Sequence, residues 1–185
     1  MVDNNIILLA QQGNRKAIKV IYDDFAGKAF VICLRYAKRR EDAEDMLQEG
    51  FVKIFQNIKQ FDFKGNFEGW MRRVMVHACI RFLGKIEIYN DIEQPEFTNL
   101  KTNTPTIISE LSEMEILALI EKLPNGYKLV FNMYVLDGYD HAEIAAKLSI
   151  TESTSRSQLV KARRMLQSFL SKNNIEPQTV LKIVE

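Results

Sequence analysis

The sequence is poor in the residues that build disulfide-bonded or β-rich domains. Its 185 residues include only eight glycines, four prolines and two cysteines. So few glycines and prolines argue against a sheet whose strands are joined by many tight turns. Cys33 and Cys79 each lie among apolar residues, and this setting favours buried free thiols over a disulfide or a metal-binding pair.

Long apolar runs are also missing from the sequence. No stretch approaches the ~20 consecutive apolar residues that cross a bilayer. The segment IILLA near the start is too short for a signal peptide and lacks a basic flank. We therefore expect a cytoplasmic protein. Its 46% apolar and 26% charged content is typical of soluble globular domains.

The dominant pattern in the sequence is helical periodicity. Between residues 41 and 58, apolar residues recur at the three- and four-residue spacing of one buried helix face; they are Ala43, Met46, Leu47, Phe51, Ile54, Phe55 and Ile58. A similar stripe runs from Ile18 to Tyr36, and a further helix is predicted from Phe67 onward. Helical patterning resumes after residue 109 and is interrupted by Pro124. These patterns predict an all-α fold.

Residues 89–112 lose this periodicity and have the composition of a linker. They contain two prolines, several threonines and asparagines, and four acidic residues against one basic residue. We predict two small helical domains, residues 1–88 and 113–172, joined by a flexible linker over residues 89–112. A C-terminal tail covers residues 173–185.

A net charge of +1 conceals one basic segment. Residues 151–166 carry four basic residues and one acidic residue. They belong to the sequence DHAEIAAKLSITESTSRSQLVKARRML (residues 140–166), which has the layout of a helix-turn-helix. The first helix covers about residues 140–148, Ser149 and Ile150 form the turn, and Thr151 caps the second helix. His141, just before the first helix, is expected at the surface.

The second helix of this motif divides into two faces when its residues are placed at 100° intervals. One face carries Ser155, Leu159, Ala162 and Leu166, and we expect it to lie in the core. The opposite face and its flanks carry hydroxyl, amide and cationic side chains, which suit a helix entering a DNA major groove; they are Ser153, Thr154, Arg156, Ser157, Gln158, Val160, Lys161, Arg163 and Arg164. The alternative is a basic helix that merely faces solvent.

Both halves of the chain resemble one protein family. Residues 123–166, from LPNGYKLVF to KARRML, look like region 4 of bacterial sigma factors of the extracytoplasmic-function (ECF) group. The stretches AQQGNRKAIKVIY, DAEDMLQEGFVKIF and FEGWMRRVMVHACIRFL resemble region 2 of the same family. The resemblance implies an alternative sigma factor that binds core RNA polymerase and promoter DNA. The basic helix would then read the minus-35 element as duplex.

The resemblance also assigns a role to the polar face of residues 42–49. It implies that this face docks on core RNA polymerase through carboxylate and amide groups; the candidates are Asp42, Asp45, Gln48 and Glu49. From the residues alone, the expectation would be a face in contact with solvent.

The segment NIKQFDFKGNFEGWMRR interleaves aromatic and basic residues, a composition that suits single-stranded DNA. Phe67 and Trp70 are expected mainly in the core, and Phe61 is expected to be partly exposed. The resemblance points here to a pocket for a base extruded from the minus-10 element. It places Phe61 and His77 in the wall of the pocket, with Asn66 and Arg73 near the strand. The basic residues Lys64 and Arg72 of the same segment are further candidates for contacts with strand phosphates.

Departures from the family pattern affect DNA preference. Ser153, Ser155 and Gln158 stand where family members often have Gly, Val and Arg, and His77 stands where many have Asn. These differences concern which promoter is read. The resemblance further implies an anti-sigma factor, often membrane-bound, that clamps the two domains.

Chemistry of other kinds finds no support in the sequence. Neither paired carboxylates, a nucleophile constellation nor a Gly-rich phosphate loop is evident, and we expect no enzyme, cofactor, metal or small-molecule substrate. His77 and Cys79 are two residues apart and would point to different faces of a helix. Two alternatives remain open: a stand-alone helix-turn-helix regulator, and a sigma-like interaction module without DNA binding.

Overall fold

A computed structural model describes residues 2–85 and 113–172, and its regular secondary structure within these ranges is helical throughout. The all-α prediction is confirmed. The chain divides into two compact units, residues 1–87 and 88–185. The predicted linker and the predicted tail lie outside the described residues.

Unit 1 is built from four helices over its described residues. They are α1 (Asn4–Gln11), α2 (Arg15–Tyr36), α3 (Arg40–Asn57) and α4 (Phe67–Lys85). A 3₁₀ turn, Ile58–Gln60, follows α3 directly. Helices α2, α3 and α4 pack on one another, while α1 packs on α2 and on the 3₁₀ turn. The bundle therefore brings the start of the chain against the end of α3.

The predicted apolar stripes form the core of unit 1. Ile21, Ala43 and Ile54 are each fully buried. Gly50 lets α3 approach α4 closely, because a Cβ at this position would overlap the sulfur of Met75. Cys33 and Cys79 are buried free thiols, as predicted, with their Sγ atoms 3.8 Å apart. This core leaves little room for added volume between the helices.

Unit 2 has four helices in its described part. They are α5 (Glu113–Glu121), α6 (Asn125–Phe131), α7 (His141–Leu148) and α8 (Glu152–Lys172). Pro124 precedes α6, where the sequence predicted an interruption. A π-helical turn, Asn132–Leu136, extends α6, and the chain reverses at Gly138 with a φ of +72°. Helices α6 and α7 both pack on α8, so α8 is the central element of the unit.

Local hydrogen bonds fix the two helices of the predicted helix-turn-helix. The Asp140 carboxylate accepts from Glu143 N at 2.7 Å, and Asp140 N donates to the Glu143 carboxylate at 3.0 Å. These reciprocal bonds form a capping box at the start of α7. Ser149 ends α7 in the left-handed conformation with a φ of +55°. Thr151 Oγ1 accepts from Thr154 N at 3.0 Å and begins α8, as predicted.

Candidate nucleic-acid interface

Helix α8 separates its side chains into a buried row and an exposed row. Ser155 and Ala162 are completely buried, and Leu159 and Leu166 are nearly so, as the helical spacing predicted. The opposite row is exposed and consists of Ser153, Arg156, Ser157, Val160, Lys161 and Arg164. Thr154, Gln158 and Arg163 are half-buried at its edges. The hydroxyl groups of this row thus lie in its N-terminal half together with Arg156, and the cations Lys161 and Arg164 lie beyond them.

Neighbouring side chains hold three of these candidates close to the protein surface. Arg156 Nη2 lies 2.6 Å from Glu152 Oε2, yet the Arg156 side chain is 61% exposed. Lys161 Nζ lies 5.9 Å from the centre of the Tyr127 ring. The Gln158 amide packs beside Gly126 at the start of α6. Contact with DNA would require Arg156 to exchange a carboxylate for a phosphate or a base edge.

His141 makes a contact within unit 2 that the sequence did not predict. It was expected at the surface, but it is half-buried, and its Nδ1 lies 2.9 Å from the buried Ser155 Oγ. Its ring stacks on Tyr134 with centroids 4.5 Å apart. Burial lowers the pKa of His141, and the positive charge of Arg156 lowers it further. A buried hydroxyl needs a hydrogen-bond partner. The predicted burial of Ser155 was therefore the sequence signal that a polar side chain such as His141 would lie beside it.

Phe61 does not have the exposure that was predicted for it. It is only 5% exposed, with ring centroids 5.0 Å from Phe67 and 5.9 Å from Trp70. The loop that follows Phe61 has positive φ values at Phe63 and Gly65. The ring of Phe61 packs inward against Phe67 and Trp70. The exposed ring of the segment is Phe63. Phe67 lies in the core as predicted, whereas Trp70 is half-buried.

A cavity of about 260 Å³ lies between α3 and α4, beside the buried aromatic cluster. Its lining contains six polar residues and three apolar ones, namely Glu49, Lys53, Asn57, Gln60, Trp70, Val74, His77, Ala78 and Arg81. His77 was predicted in a pocket wall and lines this cavity, whereas Phe61 does not. The remaining wall residues were missed, although their three- and four-residue spacing on two helices is visible in the sequence.

Two amides in the wall of the cavity are hydrogen-bonded in series. Gln60 Nε2 donates to Asn57 Oδ1 at 2.9 Å, and Asn57 Nδ2 donates to the Lys53 carbonyl at 2.8 Å. Together with the cations of Lys53 and Arg81 and the ring of Trp70, they give the cavity hydrogen-bonding groups and an aromatic surface. This combination suits a planar polar ligand such as a nucleobase.

The other candidates for the minus-10 strand lie on the loop and on α4. Lys64, Arg72 and Arg73 are exposed, and Lys64 Nζ lies 3.4 Å from an Asp62 carboxylate oxygen. Asn66 has a structural role, because its Oδ1 accepts from Glu68 N at 2.8 Å and from Gly69 N at 3.3 Å. The side chain of Asn66 therefore caps α4.

The predicted polar face of α3 is exposed only in part. Asp45 and Gln48 are exposed and Glu49 is half-buried, but Asp42 is only 8% exposed. The expectation that Asp42 faces outward is wrong because it lies one turn before buried Met46. Arg39 Nη2 donates to Asp42 Oδ1 at 2.8 Å, and this hydrogen bond lowers the pKa of Asp42.

Within residues 2–85 and 113–172, no three His, Cys, Asp or Glu side chains lie together as ligands of a metal ion. No helix in these ranges is long and apolar enough to cross a membrane.

Family models match both units of the chain. Residues 21–87 match Sigma-70 region 2, and residues 113–166 match Sigma-70, region 4. The ECF RNA polymerase sigma-E factor of Haemophilus influenzae is 25% identical, over 96% of this chain and 97% of the relative. The sigma-E factor of Escherichia coli K12 is also 25% identical, over 96% of each chain.

Two solved structures have a fold similar to that of this chain. The sigma factor RpoE of Bartonella quintana, in complex with the anti-sigma factor NepR, superposes with a TM-score of 0.52 at 16% identity. The match covers 84% of this chain and 98% of that one. CnrH, in complex with the cytosolic domain of CnrY, gives 0.51 at 16% identity, over 92% and 97% of the two chains.

The two family matches occur in one chain, in the order region 2 then region 4, and together span most of the described residues. They favour a sigma factor over a stand-alone helix-turn-helix regulator, which would have no region 2. The chain therefore belongs to the ECF group of RNA polymerase sigma factors, the alternative sigma factors that bind core polymerase and direct transcription initiation at specific promoters.

Proposed function

We propose that this sigma factor selects its promoters through two separate DNA-reading surfaces, one in each unit. The main support is the division of α8 into a buried row and an exposed row. The exposed row enters the major groove of the minus-35 duplex. Arg156 and Lys161 contact bases and phosphates, while Ser157, Gln158 and Val160 select among base pairs. Ser153, Thr154, Arg163 and Arg164 complete the contact surface.

In unit 1, the cavity between α3 and α4 receives one base extruded from the minus-10 element. Its volume of about 260 Å³ lies below the ~300–1,000 Å³ of sites for drug-sized ligands, and so fits a ligand the size of one base. Trp70 offers a stacking surface, and His77, with the amides of Asn57 and Gln60, offers hydrogen bonds. Lys64, Arg72 and Arg73 pair with phosphates of the strand.

Core RNA polymerase docks on the exposed part of α3. Asp45 and Gln48 are the principal contacts in this proposal, because both are exposed and neither serves the core. Glu49 lies beside them and also borders the cavity. Asp42 contributes indirectly, since its hydrogen bond with Arg39 stabilises the first turn of α3.

A binding assay with core RNA polymerase tests this docking face. The variant Asp45→Arg with Gln48→Ala should bind core polymerase at least about tenfold more weakly, because a buried interfacial charge is reversed. Asp23→Arg makes the same charge change on α2, at a residue whose side chain is 55% exposed, and should bind normally. Circular dichroism should show that both variants are folded. Full binding by the folded double variant would show that this face meets solvent.

An anti-sigma factor is the expected regulator of this chain. Both solved neighbours are complexes: RpoE is bound to the anti-sigma factor NepR, and CnrH is bound to the cytosolic domain of CnrY. We propose that the protein acts in the cytoplasm, where core RNA polymerase and promoter DNA are found. In this role the chain carries out no reaction of its own, because the polymerase synthesises the RNA.

A further inference from the structure

Helix α1 lies outside the residues that match region 2, which begin at residue 21, yet it contacts the turn that borders the cavity. Gln11 is the last residue of α1. Its Nε2 donates to the Ile58 carbonyl at 2.9 Å and to the Phe61 carbonyl at 2.9 Å. These two carbonyls stand at the two ends of the segment that carries Gln60. One side chain therefore spans the whole turn from Ile58 to Phe61.

The helix that carries Gln11 is itself firmly placed. Ile7 and Ala10 of α1 are 2% and 3% exposed, so α1 is packed into the core of unit 1. Asp3 caps its first turn by accepting from Ile6 N at 2.8 Å. The side chains of Ile58 and Phe61 are also buried. Gln11 thus joins the ends of the turn to a helix of fixed position.

Within the turn, Phe61 N donates to the Ile58 carbonyl at 3.2 Å, which is longer than either bond from Gln11. Gln60 lies between these two residues and donates to Asn57 at the wall of the cavity. A primary amide has two N–H groups and can donate to both carbonyls at once. The bonds from Gln11 therefore restrict the position of Gln60 relative to α3.

We propose that Gln11 is a positioning residue for reading the extruded minus-10 base. By holding the turn from Ile58 to Phe61, it keeps Gln60 and Asn57 in place at the wall of the cavity. The inference rests on the proposed function of that cavity and adds α1 to the elements that build it. A methionine at position 11 keeps the shape of the side chain but cannot donate. A lysine at position 11 restores a donor, since its ammonium group has three N–H bonds.

The test uses the full chain assembled with core RNA polymerase. The template is a promoter selected from a random-sequence pool by transcription with the wild-type holoenzyme. Abasic sites are placed one at a time along the minus-10 non-template strand, and holoenzyme binding to each pre-melted template is measured. The variants are Gln11→Met, Gln11→Lys and, as a packing control on the same helix, Ile7→Val. Binding of each to the minus-35 duplex is measured in parallel.

We expect one abasic position to weaken wild-type binding and to mark the base that enters the cavity. On the intact strand, Gln11→Met should bind about three- to tenfold more weakly than wild type, as expected for lost hydrogen bonds. That defect should largely vanish at the abasic position, because nothing remains there to position. Gln11→Lys should bind nearly as wild type. Ile7→Val should keep the full abasic penalty, which is the loss of binding that the abasic position causes in wild type. Minus-35 binding should not change in any variant.

The two proposals fail in different ways. If no abasic position weakens wild-type binding, the cavity does not read a base, and the inference about Gln11 falls with it. If one position does, but Gln11→Met keeps the full abasic penalty, Gln11 has only a structural role and the cavity proposal stands. Should Gln11→Met not fold, Gln11→Leu, whose side chain also cannot donate, takes its place in the same comparison, and a full abasic penalty in the folded Gln11→Leu variant would contradict the inference.

Discussion

The two DNA-reading surfaces differ in how many structural elements build them. The surface of unit 2 is the exposed row of one helix, α8. The surface of unit 1 is concave and is built from α3, the 3₁₀ turn and α4. An exposed helix face suits a duplex groove, whereas a cavity suits a base that has left the stack. The difference predicts that altered packing between helices disturbs minus-10 reading more than minus-35 reading.

Charge also distinguishes the two surfaces. Residues 151–166 carry four cations and one carboxylate, whereas Glu49 lies beside Lys53 and Arg81 at the cavity. Binding by α8 should therefore depend more steeply on salt than the entry of a base into the cavity, because the cations of α8 neutralise phosphates. Reading by the cavity should depend mainly on stacking and hydrogen bonds.

The largest expected effect comes from Gly50, where α3 and α4 approach. Gly50→Ala should destabilise unit 1 by about 1–3 kcal/mol, because the added methyl group overlaps buried Met75 in a packed core. Gly27→Ala is the control, since a Cβ at that exposed helical position meets no atom within 4 Å; it should stabilise slightly. Thermal unfolding measures both changes. Equal melting temperatures for the two variants would mean that the core accommodates the methyl group.

The exposed cations of α8 should carry minus-35 affinity. Arg156→Ala and Lys161→Ala should each weaken binding to the minus-35 duplex by about 1–3 kcal/mol if the lost contact is to a base. For a phosphate contact, each should lower the slope of log K against log salt by about one. Gln167→Ala, at an exposed position further along α8, is the matched control. Wild-type affinity and salt slope in both variants would place the DNA contact elsewhere.

His77 tests the cavity without threatening the core, because its side chain is exposed. His77→Ala should slow open-complex formation about three- to tenfold, as expected for the loss of one hydrogen bond to an extruded base. Minus-35 binding should stay the same. Permanganate reactivity of promoter thymines measures the opening. An equal loss of minus-35 binding would point to a general defect rather than to the cavity.

The smallest expected effect is a pH dependence of unit 2. The folded pKa of His141 lies below its ordinary value of 6.5 because of burial, so the unfolded chain takes up the proton first. The stability that neutral His141 contributes is complete above pH 6.5 and is lost as pH falls towards the folded pKa. His141→Gln should therefore lose less stability than wild type between pH 7 and pH 5, measured by urea unfolding. Identical losses would exclude His141 as a source of the pH dependence.

The sequence predicts a surface well when the residues of that surface lie close together in the chain. The rows of α8 follow from the helical repeat alone, so Ser155, Leu159 and Ala162 were placed correctly in the core. Asp42 was misplaced because the apolar stripe of α3 is wider than its hydrophobic residues show. Its row continues through Met46 and Gly50, and glycine carries no hydrophobic signal. Periodicity therefore predicts which residues of a single helix are exposed, but it underestimates how many residues are buried where helices meet.

Long-range contacts explain the remaining errors. Phe61 lies in a loop, where backbone reversals at Phe63 and Gly65 decide which ring turns inward, and no periodic pattern encodes that choice. The bonds from Gln11 cross 47 and 50 residues of sequence. The cavity wall combines residues of α3 with residues of α4, and its existence depends on the gap between the two helices. Such features follow from packing, which a single sequence does not display.

Run-off transcription with purified core RNA polymerase shows whether two surfaces of this one chain direct initiation. A promoter template is transcribed by core polymerase alone, with the wild-type chain, and with Arg156→Ala or His77→Ala. We expect a discrete transcript only when the chain is present, and either substitution should reduce it. On a template whose minus-10 element is pre-melted, the defect of His77→Ala should be partly relieved and that of Arg156→Ala should persist. The same transcript from core polymerase alone, or equal relief of both variants, would contradict a role for two separate surfaces.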